Sequence, residues 1–154
     1  MEYRVCRNNS APYNDLSGKI SLLGLGTMRL PLRDAADQTS IDEEKAQEIF
    51  DYAYAHGVNY FDTAYPYHGG MSEKFCGKAL AKYPRASYHL ASKLPGWMLK
   101  CDEDVPRIFN EQLANCRTDY FDFYLAHSVH ESSWSNYAKY HAYDQLNAVS
   151  YTHL

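Results

Sequence analysis

A chain of 154 residues, 45% hydrophobic and 22% charged, has the size and mix of one ordinary globular domain with a real core. Its formal net charge of -4 leaves no basic footprint for nucleic acid, and no apolar stretch approaches the roughly 20 residues of a membrane helix. The start, Met1-Glu2-Tyr3-Arg4-Val5-Cys6-Arg7, is too polar for a signal peptide, so the expected location is cytoplasmic.

Residues 1–6 and 19–23 are β-prone and flank a polar loop, 8–18, which predicts a hairpin. Residues 21–27 then read as a first sheet strand and its exit, followed by a loop over 31–39. Ser40 and Glu43 have capping-box spacing. Ile41, Ala46, Ile49, Phe50, Ala53 and Tyr54 repeat at helical intervals behind them, and Gly57 is a left-handed stop. A strand over 58–61 runs into Asp62. Ser72 is placed to cap a second helix, with Glu73 in the first turn favouring the helix dipole and Phe75, Ala79 and Leu80 as its inner stripe. Gly77 inside that helix costs about 1 kcal/mol relative to alanine, which close approach to a strand would explain.

After Pro84, a strand over 88–92 runs into Lys93. Asp102 and Asp104 open a third helix whose inward face is Ile108, Phe109, Gln112, Leu113 and Cys116, with Pro106 tolerated only in the first turn. A strand over 120–126 runs into His127, and a weaker helix is expected over 134–148. Strands alternating with helices through short linkers mean a parallel sheet with helical crossovers, the α/β class.

Asp62, Lys93 and His127 all stand at the carboxyl ends of successive strands, where α/β barrels place their chemistry. Tyr67 follows Asp62 by five residues, in a loop containing proline and glycine. A phenol with a pKa of about 10 gives up its proton poorly, and a neighbouring ammonium lowers that barrier by stabilising the phenolate. Lys93 can supply the charge, Asp62 can be its counter-ion, and His127 can donate to or orient a carbonyl oxygen. Such an array suits protonation of an oxygen gaining negative charge, as in carbonyl reduction by a cofactor's hydride. Each residue also has a plain reading: a turn cap, a surface aromatic, a solvated lysine, a core histidine. Tyrosine abundance, at 15 copies, singles out none of them.

Other signals are weak. Cys6, Cys76, Cys101 and Cys116 contain no C-x-x-C pair and match no zinc template, so free thiols in a reducing compartment are expected. His127 and His130 lack a third ligand, and no metal site is expected. Gly24-Leu25-Gly26 lacks the third glycine of a dinucleotide fingerprint.

Gly24-Leu25-Gly26-Thr27-Met28, Asn59-Tyr60-Phe61-Asp62-Thr63-Ala64-Tyr65-Pro66-Tyr67, Ala91-Ser92-Lys93-Leu94-Pro95 and Phe123-Tyr124-Leu125-Ala126-His127 occur in the order and style of one family. Across about residues 20–127 the chain resembles the aldo-keto reductase superfamily. The microbial branch, some of whose members carry a C-terminal ferredoxin-like iron–sulfur region, is the nearest in style. The resemblance implies a (β/α)8 TIM barrel, NADP(H) or NAD(H), and reduction of a small aldehyde or ketone. It implies Tyr67 as general acid, Lys93 lowering its pKa, Asp62 pairing with Lys93 near the nicotinamide ribose, and His127 orienting the carbonyl. Gly26, Thr27 and Met28 fall where the family's first loop meets the cofactor. Tyr65 is the rival acid, at a spacing from Asp62 that departs from the family pattern.

A full barrel needs about 250 residues. The expectation is therefore a truncated N-terminal half over 1–148, with about four strands and a hairpin, and a non-native tail over 149–154. Any 4Fe-4S cluster would belong to a C-terminal part outside the sequence. A half barrel with open edges is expected to self-associate or fold incompletely. Two other readings stand beside the reductase: an inactive fragment, and a barrel used as a regulatory or binding subunit.

Overall fold

The computed structural model describes residues 1–5 and 19–153. Cys6 and the polar loop 8–18 lie outside them. The hairpin strands are β1 (Tyr3–Val5) and β2 (Lys19–Ser21), antiparallel with Tyr3 opposite Ser21. Ser21 then leaves the strand path: its amide donates to Asn59 Oδ1 at 2.8 Å and its hydroxyl accepts from the Asn59 amide at 3.1 Å. The strand expected over 21–27 is therefore cut to β3 (Leu25–Gly26), because its first residue is claimed by the hairpin.

Behind β3 come β4 (Tyr60–Asp62), β5 (His89–Leu94) and β6 (Phe123–Ala126), forming one parallel sheet in the order β3-β4-β5-β6. The crossovers carry α1 (Glu43–Ala55), α2 (Met71–Leu80) and α3 (Asp104–Cys116). Strand order follows chain order without reversal, as in a singly wound barrel and unlike a doubly wound sheet. These are four of a TIM barrel's eight strands.

Helix starts depart from the sequence reading. Asp42, not Ser40, caps α1, accepting from the Lys45 amide at 3.3 Å. Ser40 instead closes the preceding loop: its hydroxyl accepts from the Asp34 amide at 3.0 Å and reaches the Asp37 carbonyl at 2.7 Å. Ile41 sits outside the helix in a bridge to Leu32, and Ile49 is exposed. Gly57 does take the left-handed stop, at φ +87°.

For α2 the cap is Gly70, at φ +89°, while Ser72 lies inside the first turn. The Ser72 hydroxyl is buried against Thr27 Oγ1 at 2.7 Å and Thr63 Oγ1 at 3.0 Å. A Cβ on Gly77 would meet Asn115 O at 2.6 Å and Cys116 O at 2.7 Å, so the close neighbour is the last turn of α3 and not a strand. The expected inward face of α3 is buried throughout. At its start, Arg107 and the Lys100 amide hold the Asp104 carboxyl at about 2.

The helix expected over 134–148 is two, α4 (Glu131–Lys139) and α5 (Ala142–His153), broken where His141 turns to φ +47°. The core lies between sheet and helices and is rich in phenylalanine. Phe50 stacks on Phe61 at 5.3 Å and meets Phe75 edge-on at 5.4 Å, all three buried. Among the described residues no helix is long and apolar enough to cross a membrane.

Candidate active site

Asp62 is the last residue of β4, Lys93 the fifth of six in β5, and His127 the first after β6. Parallel pairing sets Asp62 level with Ala91 and Lys93 level with Leu125. Tyr67 opens the 3-10 turn Tyr67–Gly70, in which His68, Gly69 and Gly70 all have positive φ. His68 secures that reversal. It is buried, with Nε2 accepting from the Leu30 amide at 3.1 Å and Nδ1 on the Gln38 carbonyl at 2.9 Å. That pairing fixes the tautomer with the proton on Nδ1.

The four residues converge. Lys93 Nζ donates to Asp62 Oδ1 at 2.5 Å and to the Thr63 carbonyl at 2.7 Å. The same nitrogen stands 4.9 Å from the centre of the Tyr67 ring. Tyr67 and His127 meet edge-to-face at 5.5 Å, and the Trp97 ring lies 4.9 Å from that of His127. The Lys93 side chain is 12% exposed and that of Asp62 27%, a partly desolvated pair in which each charge needs the other. Burial, and then the Lys93 charge, hold His127 below its ordinary pKa against the pull of Asp62. Its imidazole is therefore neutral at pH 7. His127 Nδ1 is buried and has no hydrogen-bond partner among the described residues.

Tyr65 points elsewhere. Its hydroxyl donates to Glu111 Oε2 at 2.6 Å, and that carboxylate raises its pKa.

The three first-loop residues divide. Gly26 pairs level with Asp62, and a Cβ there would meet nothing within 4 Å. Met28 is exposed. Thr27 turns inward: its hydroxyl reaches the Asp62 carbonyl at 3.0 Å and Ser72 Oγ at 2.7 Å. Gly26 thus fronts open space level with Asp62 at the sheet's edge.

Two groups escaped the sequence reading. Glu73 stands in the first turn as expected, but its burial and its bonding were not read: it is fully buried. It accepts from Ser92 Oγ and Gln112 Nε2, both at 2.6 Å, and from Asn115 Nδ2 at 3.2 Å. Gln112 Nε2 also reaches the Lys93 carbonyl at 3.1 Å. Trp97 was passed over inside the loop after Lys93. Its distance of four residues from a charged strand end was the available signal.

The sequence profile of the aldo/keto reductase family matches residues 22–146. The L-galactose dehydrogenase of Arabidopsis thaliana is 32% identical over 117 residues, which are 72% of this chain and 35% of that protein. An aldo-keto reductase of Bacillus halodurans in its holo form superposes with a TM-score of 0.57 at 32% identity, over 71% of this chain and 37% of its own. One from Klebsiella pneumoniae, solved in complex with NADPH, superposes with a TM-score of 0.59 at 25% identity, over 80% and 42%. The chain spans about a third of the length of the curated relatives it matches. With a profile match over most of its length and the barrel's strand order in place, the chain belongs to the aldo/keto reductase family.

Proposed function

We propose that this chain carries the proton-transfer centre of an NADPH- or NADH-dependent reductase acting on a small aldehyde or ketone, with Tyr67 as the general acid. The observation that carries the reading is the Lys93 ammonium, held by Asp62 and the Thr63 carbonyl beneath the Tyr67 ring and beside a neutral His127.

The roles follow from charge. As the carbonyl oxygen gains electron density it needs a proton and donors aimed at it. Tyr67 holds that proton on its hydroxyl and gives it to the oxygen. The phenolate left behind is stabilised by Lys93, whose own charge is kept in a partly buried site by Asp62. His127, being neutral, orients the carbonyl as a hydrogen-bonding group and adds no second positive charge. Gly26, Met28 and Asp62 would hold the nicotinamide end of the cofactor, which when bound supplies the hydride.

The test is a fluorescence titration with NADPH followed by reduction of a simple aldehyde. Tyr67→Phe is expected to lower turnover by about 10²–10⁴-fold, the usual worth of a general acid, with NADPH binding retained. Undiminished turnover in Tyr67→Phe removes the acid assignment, and no NADPH binding by the unaltered chain favours an inactive fragment.

A further inference from the structure

Tyr137 rises from α4 and is 4% exposed, with its hydroxyl between the ends of β5 and β6. It donates to the His127 carbonyl at 2.7 Å and the Leu94 carbonyl at 2.8 Å, and accepts from the Gly96 amide at 3.0 Å. A phenol has one proton, so the two carbonyls share it. The Leu94 carbonyl also takes the His127 amide at 3.0 Å. One oxygen therefore ties together the residue after Lys93, His127 itself, and the head of the 3-10 turn Gly96–Met98 that carries Trp97. Gly96 leaves the slot for the ring: a Cβ there would lie 2.4 Å from two Tyr137 ring carbons.

We propose that Tyr137 is a positioning residue that fixes the spacing between Lys93 and His127 by clamping the Leu94 and His127 carbonyls with one hydroxyl. The clamp is a matter of geometry; its value for catalysis rests on the reading of Lys93 and His127 given above. Both residues hang on backbone that the hydroxyl holds. Without it, the two carbonyls and the Gly96 amide lose a common partner in a dry place, where an unmade hydrogen bond is costly and the chain moves to recover one. The ring of His127 then drifts from Lys93 and takes up water.

His127 reports this directly. The ionisable groups facing it are Lys93 from β5, Asp62 from β4, Tyr67 from the turn before α2, and Tyr137 through its carbonyl. Its imidazole titration is followed by NMR in the full chain, in Tyr137→Phe and in Gly96→Ala. The second variant keeps the hydroxyl but displaces the ring. A control, Tyr54→Phe, deletes a remote hydroxyl that bonds Ser87 Oγ at 2.8 Å.

Tyr137→Phe and Gly96→Ala are expected to raise the His127 midpoint toward the ordinary histidine value of about 6.5, with Tyr54→Phe leaving it in place. An unmoved midpoint in both site variants overturns the proposal, as does an equal rise in the control. Should one variant fail to fold, the other decides. Turnover is scored separately: a midpoint that moves in a chain showing no carbonyl reduction keeps the clamp and refutes only the reductase reading. In an active protein the clamp variants are expected to lower kcat with KM little changed, since they disturb the reacting groups and not the binding surface.

Discussion

Lys93→Met is expected to lower NADPH-dependent carbonyl reduction by at least about 10²–10⁴-fold and to leave the chain folded. Methionine keeps the length and most of the apolar stem, so the strand end stays filled. What disappears is an ammonium that touches Asp62, the Thr63 carbonyl and the face of Tyr67 together. On the proposed reading Tyr67 then lacks the charge that stabilises its phenolate, and Asp62 is left as a partly buried anion that repels the developing negative charge. A second readout is independent of turnover. Burial is the larger cause of the lowered His127 pKa and the Lys93 charge the next. The variant should therefore titrate His127 at a higher pH than the unaltered chain, yet still below a solvent-exposed histidine. Full activity in Lys93→Met would end the proton-transfer reading of the site, and a His127 midpoint unchanged by the loss of the ammonium would contradict the electrostatic coupling of the two groups.

Three residues of this centre, Asp62, Lys93 and His127, were legible because each lies at or beside a strand end, and Tyr67 by its spacing from Asp62. Asp62 follows Phe61, Lys93 follows Ser92, and His127 follows Ala126, and strand ends on one side of a parallel sheet come together whatever the details of the helices. Helix starts were not legible to the same degree. Ser40 and Ser72 have the right side chain for a cap, but a hydroxyl bonds to whatever polar group reaches it first. The loop 34–40 claimed one, and Thr27 with Thr63 claimed the other. Glu73 and Tyr137 lay beyond local reasoning altogether. Glu73 meets Gln112 across 39 positions, and Tyr137 meets Leu94 across 43, so no spacing within a helix announces either contact. The close approach that Gly77 signals was readable as an approach, but its partner, the last turn of α3, is fixed by helix packing.

Two carboxyls outside the centre, Glu73 buried and Asp122 partly buried, set opposite pH dependences, and their removal is expected to show it. Asp122 accepts from Arg85 Nη2 at 2.6 Å, the Leu90 amide at 2.8 Å and His89 Nδ1 at 3.3 Å. Burial pushes its pKa up, but the His89 bond, the Arg85 charge and the Leu90 amide outweigh it and the net shift is downward. Asp122→Ala removes the counter-ion of the Arg85 guanidinium, which keeps its bonds to Thr118 and the Tyr88 and Tyr120 carbonyls, and leaves the Leu90 amide unpaired, which is expected to cost about 3 kcal/mol. Because the folded carboxyl is the stronger acid, its stabilisation is present above the ordinary aspartate value of about 3.9 and is lost as pH falls through the lowered one. Glu73 behaves in the reverse sense. Burial raises its pKa, and Ser92, Gln112 and Asn115 are neutral donors that offset only part of that cost. The unfolded chain ionises first, at about 4.3, so stability falls as pH rises from there through the raised folded value. Urea unfolding should therefore show Glu73→Gln losing less stability than the unaltered chain as pH rises above about 4.3, and Asp122→Ala losing less as pH falls below about 3.9. Parallel curves for Glu73→Gln and the unaltered chain would mean that Glu73 ionises as readily inside the fold as outside it, and the buried network behind Lys93 would then need an added proton donor to hold its charge.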